Sequence, residues 1–80
     1  MNLRLICYGI TKDILGGFEK QIEVEDGMTV GDLKKELTGR FPDFEKLKSL
    51  RIAINTEYAD DQSILSTNDE VVLIPPVSGG

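Results

Sequence analysis

The chain has 80 residues, with 14 Asp and Glu against 9 Lys and Arg, no histidine and one cysteine, for a formal net charge of -5. That length supports a single domain burying roughly 60 to 65% of its unfolded surface, and the acidic balance argues against a phosphate-gripping face and favours a basic protein partner. Absent histidines and a lone Cys7 leave no Cys/His zinc set, no Ser-His-Asp constellation and no internal disulfide, and no GxGxxG or P-loop sequence occurs.

Leu3 to Tyr8 are short, apolar and partly alternating, which predicts a first strand, and Gly9 to Gly17, with a Gly-Gly pair, predict a loop. Phe18 to Glu25 alternate as a half-buried strand hairpinned to the first, with Phe18, Ile22 and Val24 on the inner face, Lys20 the exception there, and a turn at Asp26-Gly27. Thr29 and Asp32 have the spacing of a capping box. The helix they open carries Val30, Leu33, Leu37 and Phe41 as one apolar stripe, leaves Lys34, Lys35, Glu36 and Arg40 in water, and stops at Pro42. Glu45 to Ser49 predict a short turn, with Leu47 and Leu50 as anchors. Arg51 to Asn55 predict a strand with Ile52 and Ile54 inward, followed by a turn or short strand at Thr56 to Tyr58. Ile64 and Leu65 are expected to anchor the next loop, Thr67 to Glu70 to turn, and Val71 to Ile74, apolar on both faces, to be a central strand.

Strand, strand, helix, strand, short element, strand is an α+β order, a mixed sheet of four to five strands with one main helix on one face. It is similar to the ubiquitin-like β-grasp, in which the first and last strands lie parallel and adjacent. Residues 1–74 then form the domain and 75–80 an extended, flexible tail. Pro75 and Pro76 direct the chain away from the body. Gly79 and Gly80 have no side chains, so a carboxylate on Gly80 can pass through a slot closed to other residues. Six residues at ~3.3 Å each carry it ~20 Å from the body.

Ala53-Ile54-Asn55-Thr56-Glu57-Tyr58, Asp69-Glu70-Val71 and Ile74-Pro75-Pro76-Val77-Ser78-Gly79-Gly80 resemble the molybdopterin synthase small subunits, sulfur carriers of the β-grasp class. Asn68 stands where that family often has Gly, and Asn tolerates a left-handed turn. The resemblance implies a protein that binds no cofactor and is no enzyme by itself. A ubiquitin-activating-type adenylating enzyme uses ATP to convert the Gly80 carboxylate to an acyl adenylate, and a sulfur donor protein turns it into a thiocarboxylate. Within a large subunit, in a heterotetramer, the sulfur passes to cyclic pyranopterin monophosphate and builds the molybdopterin dithiolene. With a single cysteine and no signal peptide or long apolar span at either end, the sequence is expected to belong to the cytosol; no nucleic acid, membrane or metal is expected as a partner.

Strand parity puts Leu5, Cys7, Val71 and Leu73 toward the helix, and Ile6, Tyr8, Val72 and Ile74 on the opposite face. With Tyr58 these make an apolar patch beside the tail, of the kind soluble monomers avoid. Tyr8, Tyr58 and Ile74 are therefore expected to bind the large subunit, together with Pro75, Pro76, Val77 and Ser78 of the tail. Ser78, with no base in the chain, is expected to hydrogen-bond the partner's cleft. Cys7 reads as a buried structural thiol, Asp60-Asp61 as an acidic surface turn and Lys34-Lys35 as a solvated helix face. Three other readings stay open: a ubiquitin-like modifier joined through Gly80 to lysines, a sulfur carrier for thiamine or tRNA thiolation, and a plain interaction domain with an inert tail.

Overall fold

Alternate residues of β1 (Asn2–Cys7) are buried in the computed structural model, which describes residues 1–47 and 49–75. Leu3, Leu5 and Cys7 are exposed by 1% or less. β1 pairs antiparallel with β2 (Glu19–Glu23) and parallel with β5 (Glu70–Ile74), setting Leu5 opposite Val71 and Cys7 opposite Leu73. β3 (Arg51–Ile54) runs antiparallel to β5 on its other side and carries β4 (Glu57–Ala59) at the edge. The resulting order, β2-β1-β5-β3-β4, makes β5 the middle strand. Its inner residues Val71 and Leu73 are fully buried, while Val72 and Ile74 on the other face are half-buried.

The helix α2 (Val30–Arg40) covers one face of this sheet with Val30, Leu33 and Leu37, all fully buried. Burying each such side chain contributes about 1.5–3 kcal/mol. The capping box is complete: Asp32 N donates to Thr29 Oγ1 at 3.1 Å, and Thr29 N donates to Asp32 Oδ2 at 3.2 Å. The next free amides of the helix are met by a loop, with Val30 N donating to Ser63 O and Gly31 N to Asp61 O, each at 2.9 Å. At the other end Arg40 reaches back to Glu36 and to the carbonyl of Glu23, closing one exposed acceptor of edge strand β2. Lys20, on the inner parity of β2, is half-buried, with its Nζ 5.7 Å from the Phe41 ring centroid.

Four details differ from the sequence reading. Gly9 to Gly17 hold a helix, α1 (Ile10–Leu15), rather than a loop. The Gly-Gly pair is its C-cap: Gly16 is left-handed at φ 87, and the amides of Gly16 and Gly17 both donate to Lys12 O. Because α1 fills that corner with Thr11 and Leu15, Phe18 is not on the inner face with Ile22 and Val24; it is 58% exposed. The short turn comes earlier than Glu45 to Ser49, as a 3-10 turn over Pro42–Lys46 that buries Phe44. Ile64 is no anchor, being 68% exposed, while Leu65 beside it is 2% exposed. Pairing of Ile64 with Thr29 through the backbone sends the two neighbouring side chains to opposite sides.

Asn68 adopts φ 72, the left-handed turn expected of it, and leads into β5. The β3–β4 hairpin turns through Asn55 (φ 48) and Thr56 (φ 76), a two-residue turn of the type whose twist suits antiparallel strands. Asn55 also ties that turn to the start of β5. Its backbone amide donates to Glu70 O, its side-chain oxygen accepts from Glu70 N, and its side-chain nitrogen donates to Asp69 Oδ1, all at 2.9 Å.

Candidate functional site: the outer sheet face and the root of the tail

The face of the sheet away from α2 is organised by register. Ile6 lies opposite Val72, Val72 opposite Ala53 and Ala53 opposite Tyr58, so one apolar row crosses four strands. Glu19, opposite Ile6 on β2, ends the row on one side. Tyr58 ends it on the other, 67% exposed, with the Arg51 guanidinium 4.8 Å from its ring centroid. Arg4 and Glu70, opposite each other and ion-paired, form a polar border along the next row.

The chain leaves the sheet beside this row. Ile74 is half-buried and lies opposite Arg51, and Pro75 follows it out of β5. A Cβ on Gly9 would stand 3.1 Å from Pro75 Cγ, and Cys7 is opposite Leu73. Tyr8 therefore sits alongside Ile74, just past the end of β1 rather than within it. It is 49% exposed, and its backbone is held by buried Thr11, whose hydroxyl donates to Tyr8 O at 2.6 Å and accepts from Tyr8 N at 2.9 Å. Edge-on against Tyr8 lies Phe18, at 6.4 Å between centroids, itself topped by Lys12 Nζ at 4.4 Å.

Tyr8, Ile74 and Pro75 thus lie together at the exit, and Ile74 and Tyr58 share the outer face with Ile6, Val72 and Ala53. The expectations for Pro76, Val77, Ser78, Gly79 and Gly80 lie outside the described residues. Sequence reasoning missed Ala53, Arg51 and the clamp at Asn55; strict alternation along Arg51 to Asn55 would have put Ala53 and Arg51 on the outer face.

The other residues singled out have structural roles. Cys7 is fully buried, and burial pushes its thiol above the ordinary range, with the Lys20 charge opposing weakly. The thiolate that sulfur chemistry requires is disfavoured there. Asp61 pairs with Lys34 at 2.7 Å, and Asp60 accepts from Gln62 N and Ser63 Oγ within its own turn. Asp32 is held below the usual carboxylate range by its hydrogen bonds from the Thr29 backbone and side chain. Among the described residues no three His, Cys, Asp or Glu side chains converge as metal ligands, and no helix is long and apolar enough to cross a membrane.

Known proteins match this arrangement over nearly its whole length. A profile of the ThiS family matches residues 6–80. The molybdopterin synthase sulfur carrier subunit of Chlamydomonas reinhardtii is 30% identical over 83 residues, covering 100% of both chains. Among solved structures, SAMP1 from Haloferax volcanii superposes with a TM-score of 0.81 at 25% identity, covering 100% of each chain. A chain in the complex of subunits 1 and 2 of molybdopterin-converting factor from Helicobacter pylori superposes at 0.68 with 26% identity, again covering 100% of each. With its middle strand running out beside an apolar face and its length matched throughout, the chain belongs to the ThiS family of β-grasp sulfur carriers.

Proposed function

We propose that this carrier is the small subunit of a molybdopterin synthase and that its reagent is the carboxylate of Gly80. An adenylating enzyme joins that carboxylate to AMP with release of pyrophosphate, because a free carboxylate is a poor electrophile. A sulfur donor displaces the AMP and leaves a thiocarboxylate, whose sulfur is a nucleophile. Residues 75–80 act as an extended arm that delivers this sulfur to cyclic pyranopterin monophosphate inside a large subunit, where two such transfers form the dithiolene. The small subunit contributes the reactant and the docking face; acid and base groups belong to the large one.

The observation that carries this reading is the position of β5. Held between β1 and β3, it delivers Pro75 to a fixed point beside Tyr8, Ile74 and the apolar row ending at Tyr58. A large subunit that covers this face is thereby brought to the root of the arm. The matches to a molybdopterin synthase carrier subunit and to a two-subunit molybdopterin-converting complex support the same partner class.

Reconstitution tests it. The full chain bearing a C-terminal thiocarboxylate, mixed with a large subunit and the pyranopterin, should yield dithiolene; no product with a competent large subunit refutes the assignment. A second reading, a protein modifier, draws on the likeness to SAMP1 from Haloferax volcanii, named small archaeal modifier protein 1 in a second solved structure from that organism. Intact mass of the protein from cells separates the two. A sulfur-for-oxygen mass increase belongs to the carrier, and adducts through Gly80 on lysines of other proteins belong to the modifier.

A further inference from the structure

The net charge of -5 points to a basic partner, but the docking face itself is locally different. Among the described residues four side-chain cations are matched to carboxylates, Arg4 to Glu70, Lys34 to Asp61, Arg40 to Glu36 and Lys46 to Asp43, and Lys12, Lys20, Lys35 and Arg51 are not. Of these four Arg51 is the one set on the outer sheet face, with no carboxylate within 4 Å among the described residues. It is instead laid over the exposed Tyr58 ring at 4.8 Å and set in register beside Ile74, the last residue before the chain turns out at Pro75.

Such an arrangement suits recognition better than stability. An exposed cation over an aromatic ring contributes only about as much as a weak surface pair. Stacking nevertheless holds the side chain in one place, so less rotamer freedom is lost when a partner arrives. The planar guanidinium also keeps its N–H edges available, and these match a carboxylate in two parallel hydrogen bonds. Arg and Tyr are the residue types over-represented at the energetic centres of interfaces.

Resting on the assignment of a large subunit to this face, we infer that Arg51, presented on Tyr58, is the charged anchor of the docking surface, and that the large subunit places an acidic side chain against it beside its apolar contact with Ile74 and Val72. The carrier's overall negative charge then governs long-range approach, and Arg51 sets the register in which the tail root is presented. An acidic group opposite Arg51 is also what a carrier of the same fold with a neutral or acidic residue there would fail to satisfy, so the pair is a specificity element.

The experiment is titration calorimetry of the full, unthiolated chain against the large subunit at low and high salt. Arg51→Leu keeps the stem and removes the charge, Arg51→Glu reverses it, and Lys35→Glu, on the exposed side of α2, controls for a general charge effect. Folding of each variant is verified by its thermal melt, which an exposed position should leave near that of the unaltered chain. Arg51→Leu is expected to weaken binding about 10-fold and Arg51→Glu about 100-fold. The leucine variant should also flatten the salt dependence. Lys35→Glu should bind as the unaltered chain does. Equal affinities and salt slopes for the two Arg51 variants and the unaltered chain overturn the anchor while leaving the carrier function standing. Absence of binding by the unaltered chain overturns the large-subunit pairing and the anchor with it.

Discussion

Tyr58→Ser removes the largest exposed ring of the outer sheet face and tests whether that face is covered in a complex. A tyrosine presents ~200 Å² in full, and Tyr58 retains 67% of its exposure, so ~130 Å² remains for a partner to bury. At ~25 cal/mol per Å² the ceiling is ~3 kcal/mol. Interfaces realise part of such a ceiling, and a loss of about 1–3 kcal/mol is expected, or about 5- to 150-fold in Kd. Stability should change little, because Tyr58 sits on edge strand β4 with its ring stacked under the Arg51 guanidinium; about 1 kcal/mol covers the strand preference and the stacking together. Calorimetric titration into the large subunit gives the first quantity and a circular-dichroism melt the second. Unchanged affinity in a folded variant would refute the reasoning. So would a fall in stability large enough to account for the weaker binding.

The remaining expectations concern the tail, the exit, the helix cap and the thiol. Deleting Gly79 and Gly80 should abolish sulfur transfer in the reconstituted reaction without moving the thermal midpoint, and residual transfer by the shortened chain would exclude Gly80 as the reagent. Replacing Tyr8 and Ile74 together by Ser should weaken complex formation in the same titration, with the fold retained in the far-ultraviolet spectrum. Thr29→Ala removes the cap of α2 and should cost about 1 kcal/mol, lowering the melting temperature by roughly 4–8 °C. Asp32 titrates below the ordinary carboxylate value in the folded chain, so its contribution is present at neutral pH and declines as pH falls below that value; Thr29→Ala should make the acid limb of the melt-versus-pH curve shallower. Cys7 has its thiol pushed up by burial, so its contribution to stability is present at neutral pH and is lost as pH rises past the ordinary thiol range. In the native protein at neutral pH, Ellman's reagent should react with it roughly a thousandfold or more slowly than with the unfolded chain, and rapid native labelling would show that the site is open.

How much of this could be read from residues alone follows from where the local signals were unambiguous. The capping box at Thr29 and Asp32, the stripe Val30-Leu33-Leu37 and the two-faced β5 were legible because each satisfies one geometric requirement and no competing one. The segment Gly9 to Gly17 was not. A six-residue helix is too short to show periodicity, and Gly16-Gly17, which look like a loop in one dimension, are the left-handed cap that ends it. Missing α1 also misplaced Phe18, since the space it was expected to fill is taken by Leu15 and Thr11. Of the candidate site, parity along β1 and β5 gave the outer face correctly. Arg51 escaped notice because a charge at a strand end looks like ordinary surface until its neighbour across the ladder is known to be Ile74, and its stacking partner Tyr58.

The parallel pairing of β1 with β5 has a mechanical consequence. The amino-terminal strand enters this pair from one end and the last strand leaves at the opposite end, so tension applied between the two ends loads their hydrogen bonds in shear, all at once, instead of peeling them one by one. Antiparallel β3 grips the other flank of the same strand over four register pairs. A partner that tugs on residue 75 and beyond therefore loads this seam in shear, and the body should hold its shape while its end is drawn taut.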